Sequence, residues 1–300
     1  MGAAVAPAEP HPVPIPRLAM NDLTDDRDDG LFPIGQTEPL GSYVRQLWQR
    51  RDFIVQVPLN ELRVQHANTL LGNLWLVLNP ILQVTVYFIV FGLIIRTDRG
   101  IDDFLVFLTI GVFTFYFSQR IITNGARSIQ TNIGLIRSMR FPRAVLPIGS
   151  TVAGVLSFGP ILLIMLAITL SYGNWPNARW TMLVPLFIGQ VLFSAGGSFF
   201  VARMNHVYSD LENTLPFLFR LVFYLSGVLY SVDRFIDGPT VRTLFAFNPM
   251  YCFLSIWRWV LLGLDVSTSV WIGFLGWSII APVVGFFFFR AGESSYGRAN

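Results

Sequence analysis

The 300-residue chain is 53% hydrophobic and only 13% charged, about half the charged share of a soluble domain, so it is an integral membrane protein. All 21 basic residues are arginine, for a formal net charge of +3, and a phosphate-binding P-loop, which requires lysine, is therefore excluded. The single Cys252 excludes an internal disulfide, and no His/Cys group has the spacing of a metal site.

The N-terminal part divides into a tail and an amphipathic helix. Residues 1–42 predict a disordered cytoplasmic tail, because seven of the 18 prolines and a cluster of five aspartates fall there with little apolar surface to bury. Residues 43–57 place an aromatic and aliphatic stripe beside arginines, which is typical of a helix lying in the membrane interface. Pro58 ends this predicted helix.

Six apolar stretches follow, most of them long enough to cross a bilayer as a helix of about 20 residues. They comprise residues 74–95, 104–119, 144–172, 181–202, 215–232 and 270–289. Because backbone polar groups in hydrocarbon must pair internally, these spans predict an all-α polytopic membrane protein. Its transmembrane domain, including the interfacial helix, is expected to cover residues 43–300.

The apolar residues 244–263, between the fifth and sixth predicted spans, do not fit a further span. Asn248-Pro249 interrupts them early, and Arg258 lies in their middle. A seventh span would also place the C-terminus on the side opposite to that indicated by the charges. We therefore predict a re-entrant or interfacial hairpin on the outer side. Irregular backbone at membrane depth needs protein or water around it, so this hairpin indicates a conduit.

The distribution of arginine predicts that both termini are cytoplasmic. Twelve arginines lie on the same side as the loop formed by residues 120–143, and six lie on the other side. The first group comprises Arg45, Arg50, Arg51, Arg63, Arg120, Arg127, Arg137, Arg140, Arg143, Arg203, Arg290 and Arg298, and the second comprises Arg96, Arg99, Arg179, Arg234, Arg242 and Arg258. Cytoplasmic loops carry the excess of positive charge, so the larger group marks the cytoplasmic side of the plasma membrane.

The loop of residues 120–143 contains five arginines and no acidic residue. After Gly125 its apolar residues recur at helical spacing, until Phe141-Pro142 ends the pattern. These residues are Ile129, Ile133, Ile136 and Met139. Two interpretations are open: an ordinary charged loop, or a short interfacial helix on which another protein pushes.

Arg220 is the one charged residue inside a predicted span, where a charge costs roughly 3 kcal/mol or more and usually faces a cavity or a bundle interior. At about 100° per residue, the same quadrant of the helix holds Phe217, Tyr224, Gly227 and Ser231, and the roughly opposite side holds Leu218, Val222, Leu225 and Leu229. This sidedness predicts that the fifth span lines a conduit, to which we assign Tyr87 and Phe91 of the first span. Snorkelling of Arg220 to the nearby headgroups is the alternative.

A set of short motifs occurs in order from about Val44 to the C-terminus. They are Arg51-Asp52; Leu71-Gly72-Asn73-Leu74-Trp75 with Asn79-Pro80; the stretch from Ser128-Ile129 to Phe141-Pro142-Arg143; Ser226-Gly227-Val228-Leu229-Tyr230; Asn248-Pro249; and Arg258 ahead of Leu261-Leu262-Gly263. This set resembles the membrane subunits of type-two ABC exporters for bacterial polysaccharides, the O-antigen, capsule and teichoic acid exporter permeases. The all-arginine sequence resembles most the actinobacterial exporter of lipid-linked cell-wall galactan. Two departures are Ser209-Asp210, where the family usually has Arg-Asp, and Ser226-Gly227, where it usually has Ser-Pro.

The resemblance implies a homodimer of permeases bound to two ATPase subunits, which would hold ATP and Mg²⁺. This chain would then be a transport subunit, with no enzyme activity, cofactor or nucleic acid partner of its own. The complex would move a lipid-linked polysaccharide, possibly galactan, to the outer side of the membrane through a conduit between the two permeases. The residues that would contact the ATPases are Arg51, Asp52, Arg127, Ile129, Ile133, Ile136, Arg137 and Arg140.

Other functions remain open from the sequence. A type-two ABC exporter of a small lipophilic drug or lipid would have the same topology. A membrane-embedded transferase for lipid-linked sugars would need acidic residues at a membrane face, where Asp98, Asp102 and Asp103 predict a solvated turn. Asp210 and Glu212 point apart on a helix and predict only a solvated helix start. A secondary transporter favours intramembrane acids, and no predicted span contains one.

Overall fold

The computed structural model describes residues 39–51, 54–55, 71–95, 101, 103–138, 141–232 and 244–296, without the side chains of Asn73 and Ser294. Within these residues there are nine α-helices, joined by turns and short 3-10 or π-helical segments, and there is no strand. The helices are α1 (Leu40–Gln49), α2 (Trp75–Tyr87), α3 (Phe104–Thr131), α4 (Ile133–Ser138), α5 (Val145–Ser171), α6 (Leu183–Val207), α7 (Leu211–Leu225), α8 (Pro249–Leu262) and α9 (Thr268–Ala291). Most of the predicted tail, Asp52 and Arg140 lie outside the described residues.

In the part of the chain that the structure describes, five helical stretches are long and apolar enough to cross a membrane. They are Trp75–Ile94, Phe104–Thr131, Val145–Ser171, Ala178–Val207 and Thr268–Ala291. These correspond to the first, second, third, fourth and sixth predicted spans, and the prediction of an all-α polytopic membrane protein is confirmed. The first span is completed by a π-helical segment, Phe88–Ile94, that continues α2.

The fifth predicted span is shorter than residues 215–232. α7 has 15 residues, a length of about 22 Å at 1.5 Å per residue, against a hydrocarbon core of about 30 Å. Gly227, two residues beyond its end, has a φ of +63° in the left-handed region, so the chain turns there. Gly227 and Ser231 therefore do not continue the helical face that carries Arg220. The prediction that these two residues share a helical face with Arg220 is wrong. A hydropathy pattern does not show where the backbone turns in the left-handed region.

The second predicted span and the first half of the arginine-rich loop form one helix. α3 continues from Phe104 well past the predicted end at Gln119, and α4 follows after Asn132. Gly125 does not start a helix but permits a close approach, since a Cβ there would overlap Ser198 of α6. The arginine-rich segment is thus anchored in the bundle. The interpretation of this segment as a separate interfacial helix that starts after Gly125 is wrong.

α3 forms the centre of the bundle. Of the residues in its membrane-spanning stretch, 78% are buried inside the protein, against 11% for the first span. α5 and α6 pack along α3, and α9 packs along α6. Gly196 and Gly285 meet at the crossing of α6 and α9, where a Cβ on either would overlap the backbone of the other helix. Such glycines let membrane helices associate through close backbone contact.

The bundle has two ends, which we name after their helices. At the α1 end, α1 lies beside the C-terminal turn, and Tyr43 donates a 3.0 Å hydrogen bond to Glu293. At the α8 end, Asn174 donates a 2.8 Å hydrogen bond to Asp103 before the start of α3. α7 runs from the α1 end towards the α8 end.

α1 corresponds to the predicted interfacial helix, residues 43–57, but begins earlier, at Leu40; Arg51, Ile54 and Val55 are also helical. It turns Tyr43 into the bundle and leaves Trp48 exposed, with the Arg51 guanidinium 5.4 Å from the centre of the Trp48 ring. An exposed tryptophan beside arginines suits a helix at the level of lipid headgroups.

The predicted hairpin, residues 244–263, is mainly a single buried helix. Asn248-Pro249 starts α8 instead of interrupting an apolar run: the Asn248 side chain accepts a hydrogen bond from the Met250 N–H (3.0 Å), and proline fits the first turn. Gly263, with a φ of +73°, ends the helix. With 14 residues, about 21 Å, α8 is too short to cross a membrane and is enclosed by the bundle.

Candidate functional site

α7 is attached to the bundle by one narrow strip of side chains. The buried strip consists of Leu215, Phe219 and Phe223. Most other positions are exposed, including Phe217 (68% exposed), Arg220 and Tyr224. The Arg220 guanidinium lies 5.9 Å from the centre of the Phe217 ring. The structure therefore brings Phe217, Arg220 and Tyr224 onto one exposed surface, which we call the α7 face.

The predicted contrast between two sides of this helix is only partly present. On the predicted aliphatic side, Leu218 and Leu225 are also about half exposed, and Val222 is half-buried. Leu229 is buried beyond the end of the helix. Ser231, predicted to line the conduit, lies beyond the turn and is half-buried. The α7 face therefore differs from the rest of the helix in its aromatic and charged side chains, and not in being more exposed.

Tyr87 and Phe91 lie behind α7 and not on its exposed face. The Tyr87 ring packs 5.3 Å from Phe223 of the buried strip, and the Phe91 ring lies 6.4 Å from Tyr87. The Tyr87 hydroxyl lies 3.4 Å from the Tyr116 hydroxyl, to which Gln83 also donates a hydrogen bond. These polar groups thus provide hydrogen-bond partners for one another within an apolar bundle. The spacing of Gln83 and Tyr87, one turn apart in an apolar span, was the available sequence signal for this cluster.

A buried arginine holds the end of α7. Arg258, only 5% exposed, donates from Nη1 to the Gly227 carbonyl (2.8 Å) and from Nη2 to the Val228 carbonyl (2.8 Å). A longer bond reaches the Phe107 carbonyl (3.4 Å), and the guanidinium carbon lies 3.3 Å from the centre of the Phe107 ring. Carbonyl oxygens carry partial negative charge, so these hydrogen bonds stabilise the buried cation. Gly111 makes room for it, since a Cβ there would lie 2.6 Å from Nη2.

Asn248 completes this anchor. Its side-chain amide donates to the Ser226 hydroxyl (3.0 Å) and to the Leu225 carbonyl (3.4 Å), while its carbonyl oxygen caps α8. Asn248 and Arg258 of the predicted hairpin therefore both hold the C-terminal end of α7 and the turn that follows it.

A second set of contacts holds the start of α7 at the α1 end. Arg127 of α3 forms a 2.7 Å ion pair with Glu212, and the two side chains are 51% and 29% exposed. Asn205 of α6, which is fully buried, accepts a 3.0 Å hydrogen bond from the Glu212 N–H and donates one of 2.9 Å to the Ala126 carbonyl. We call Arg127, Asn205 and Glu212 the α3–α7 joint. Asp210 and Glu212 lie at the start of α7 as predicted, and Asp210 is exposed, whereas the pairing of Glu212 with Arg127 was not predicted.

The residues predicted to contact an ATPase divide between surface and interior. Ile129 and Ile136 are buried in a cluster with Tyr43, Phe199, Phe289 and Tyr296 of the same chain. Ile133 is half-buried, and the exposed members of the set are Arg51, Arg127 and Arg137. The apolar side of the segment therefore packs within this protein and does not offer Ile129 or Ile136 to a partner, because α1 and the C-terminal turn already cover it.

A polar cluster at the α1 end joins three distant parts of the chain. The Glu293 carboxyl accepts hydrogen bonds from the Tyr43 hydroxyl (3.0 Å) and the Arg143 N–H (2.7 Å), and the Arg143 side chain donates to the Glu293 carbonyl. Burial raises the pKa of the Glu293 carboxyl, although these hydrogen bonds act in the opposite direction. Burial also raises the pKa of Tyr43. Within the described residues, no group of three or more His, Cys, Asp or Glu could hold a metal ion.

Comparison with known proteins places this arrangement in a transporter family. The sequence profile of the ABC-2 type transporter family matches residues 60–262. An O-antigen export system permease protein of Myxococcus xanthus is 27% identical over 215 residues, covering 72% of this chain and 82% of that protein. One of Klebsiella pneumoniae is 29% identical over 208 residues, covering 69% and 79%. A polysialic acid transport protein of Escherichia coli is 21% identical over 243 residues, covering 79% and 92%.

The profile match extends from before α2 to the end of α8. It includes the arginine-rich segment, the α7 face, the α3–α7 joint and the Arg258 anchor, and it covers more than half of the chain. This protein therefore belongs to the ABC-2 type transporter family.

Proposed function

We propose that this chain is the membrane subunit of an ATP-driven exporter that moves a lipid-linked polysaccharide from the cytoplasmic to the outer side of the plasma membrane. The observation that carries the proposal is the similarity, over 69% to 79% of the chain, to permeases named for O-antigen export and polysialic acid transport. Membership of a transporter family favours this function over a membrane-embedded transferase.

An ABC ATPase is the partner that family membership implies. The chain has no lysine and therefore no P-loop of its own, so ATP and Mg²⁺ are assigned to the ATPase. We place the ATPase contact at the α1 end, where Arg51, Arg127 and Arg137 are exposed. Arg127 is also the partner of Glu212, which supports a short route from that contact to α7 through the α3–α7 joint.

We further propose that two copies of this chain face each other across their α7 faces and bind two ATPases. Sugars stack on aromatic side chains, so Phe217 and Tyr224 give a long polymer few fixed contacts to break as it slides. Arg220 would guide the pyrophosphate of the lipid anchor, because a guanidinium binds phosphate oxygens in a bidentate manner. Galactan is the specific polymer that we propose.

Depletion of the protein in its native cells tests the substrate class. Lipid-linked polymer is expected to accumulate on the cytoplasmic side, measured by extracting lipids from inverted and intact membrane vesicles. A subunit with a P-loop should copurify with the permease from native membranes. Unchanged polymer distribution after depletion would contradict polysaccharide export and leave a small lipophilic drug or lipid as the substrate.

The proposed orientation places both termini in the cytoplasm. A Gly100→Cys variant should react with a membrane-impermeant thiol reagent added to intact cells, whereas a Gly134→Cys variant should react only after the membrane is opened. Gly134 is exposed with open space around it, so a side chain fits there. The one native cysteine, Cys252, is buried and contributes little background. The reverse labelling pattern would overturn the orientation.

A further inference from the structure

A cleft between α2, α3 and α5 contains an arginine that none of the roles assigned above uses. It is lined by Pro80 of α2, by Tyr116, Phe117 and Arg120 of α3, and by Phe158 and Ile161 of α5. The cavity volume is about 70 Å³, without the open solvent at its mouth. This space suits a phosphate group, and it is too small for a folded glycan.

Arg120 lies near one edge of the hydrocarbon core. It follows Phe104, the first residue of α3, by 16 positions, which corresponds to about 24 Å of helix in a core about 30 Å thick. The phosphates of membrane lipids lie just beyond such an edge, within reach of a long arginine side chain. Arg120 is half-buried, and charges in this position usually face a cavity or a bundle interior.

The rest of the cleft is mainly apolar and aromatic, apart from Ser157 and the hydroxyl of Tyr116. Phe113 also lines it and lies seven residues before Arg120, so the lining extends about 10 Å along α3 towards the middle of the membrane. The rings of Phe117 and Phe158 lie 4.6 Å apart on opposite helices and are both buried. The cleft thus combines a cation at headgroup depth with an apolar wall that continues inward.

We propose that this cleft binds the phosphate of a membrane lipid, with Arg120 pairing the phosphate and the chain extending from the mouth of the cleft into the bilayer. A lipid is favoured over a soluble anion because Arg120 lies at the depth where lipid phosphates are concentrated. α7 contributes nothing to the lining, so this site is separate from the α7 face. The proposal is independent of polysaccharide export, which only adds polyprenyl phosphate to the lipids tested.

Native mass spectrometry of the purified full-length protein in detergent tests the site. Polyprenyl phosphate, phosphatidylglycerol and phosphatidylcholine are titrated against the wild type, Arg120→Gln, Arg120→Lys and the control Arg137→Gln, which removes an exposed arginine at the same end. We expect an anionic lipid to bind the wild type and Arg137→Gln equally, Arg120→Lys somewhat more weakly, and Arg120→Gln about tenfold more weakly. That loss corresponds to about 1.4 kcal/mol. Equal affinity in all four proteins, or a preference for phosphatidylcholine, would overturn the proposal.

The position of the bound lipid is tested on the wild type alone, so the result does not depend on the folding of a variant. A polyprenyl phosphate and a phosphatidylglycerol, each with a diazirine on the first chain segment, are photolysed with the protein. Labels are expected on residues 113–120 and 154–161. Labels confined to α7, or displacement of the lipid by millimolar inorganic phosphate alone, would contradict a lipid site in this cleft. The lipid that labels at the lower concentration identifies the source of the phosphate. Neither assay requires ATP or export, so a negative result leaves the proposed function untouched.

Discussion

The two ends of α7 are each held by an arginine, but in opposite surroundings. At the α8 end, Arg258 is 5% exposed and donates to carbonyls of Gly227, Val228 and Phe107. At the α1 end, Arg127 is half exposed and pairs with Glu212, which is itself 29% exposed. The first arginine binds backbone and the second binds a side chain.

This difference separates a fixed attachment from an adjustable one. Buried carbonyls that lose their donor cost about 1–3 kcal/mol each, because water cannot replace the bond. A partly exposed ion pair contributes only about 0.2–1 kcal/mol, because water solvates both charges when it opens. α7 is therefore expected to remain fixed at the Arg258 anchor while its start follows movements of α3 and α6. The predictions below test this comparison, beginning with the largest effect.

Removal of the buried anchor should have the largest effect. Arg258→Leu leaves the Gly227 and Val228 carbonyls without their donor and should lower stability by roughly 3 kcal/mol or more. We expect little folded protein in the membrane, measured by fluorescence-detected gel filtration and thermal unfolding. Arg258→Lys should recover only part of this loss, because an ammonium lacks the planar fork. Arg220→Leu is the matched control, since it removes an exposed arginine from the same helix. Wild-type stability of Arg258→Leu would contradict the anchor.

Charge reversal at the α3–α7 joint should affect transport much more than stability. Arg127→Glu places two carboxylates together, and we expect the melting temperature to change little while export falls about tenfold for the same ATP hydrolysis. The double variant Arg127→Glu with Glu212→Arg restores the pair in reverse and should recover most of the export. If the double variant is as defective as the single one, Arg127 acts through a different contact and the joint does not transmit motion.

Between the two ends, Arg220 tests whether the α7 face handles an anionic substrate. Arg220→Lys should lower export about twofold and Arg220→Leu further, because only the guanidinium binds phosphate in a bidentate manner. Leu225→Ala changes an equally exposed residue of the same helix and should have little effect. Transport of labelled lipid-linked polymer into inverted vesicles measures all three. Equal transport would favour snorkelling of Arg220 to the headgroups.

The buried position of Ile136 changes what its substitution should do. Because Ile136 is buried in one cluster with Tyr43, Phe199 and Tyr296 of the same chain, Ile136→Asp should destabilise the α1 end. Ile133→Asp, at a half-buried position, is the better probe of a partner contact, and we expect it to reduce coupling without loss of folded protein. Thermal unfolding and ATP-dependent export of the two variants separate these effects.

Hydropathy and helix-end chemistry explain which parts of the fold were predictable from the sequence. The long apolar helices were predicted because about 20 apolar residues in lipid can only be helical. The Asn248-Pro249 and Gly263 signals also mark helix boundaries, although they were interpreted as a break and not as the ends of α8. The end of the second span was misplaced because hydropathy falls at Arg120, while α3 continues under tertiary contacts such as the one from Asn205 to Ala126.

The attachments of α7 could not be predicted, because they join residues far apart in the chain. Arg258 and Gly227 are separated by 31 positions, and no periodicity relates an arginine in one helix to carbonyls after another. Tyr43 and Glu293 are separated by 250 positions. Helical periodicity relates the three residues of the α7 face, and these share a surface, whereas the other two residues predicted for that group, Gly227 and Ser231, lie beyond the end of α7.

The smallest expected effect concerns the Glu293 cluster, which tests whether the α1 end loosens with pH. Burial raises the pKa of this carboxyl above that of the unfolded chain, about 4.3, so the folded protein binds the proton more tightly. Its stabilising contribution is therefore fully present below the unfolded pKa and is lost as pH rises through the folded pKa. Glu293→Gln keeps an acceptor for the Tyr43 hydroxyl and the Arg143 N–H but cannot titrate. We expect the wild-type melting temperature, relative to that of the variant, to fall by a few degrees as pH rises through this range. Parallel curves for the two proteins would show that the cluster does not respond to pH, and the adjustable behaviour of the α1 end would then rest on Arg127 and Glu212 alone.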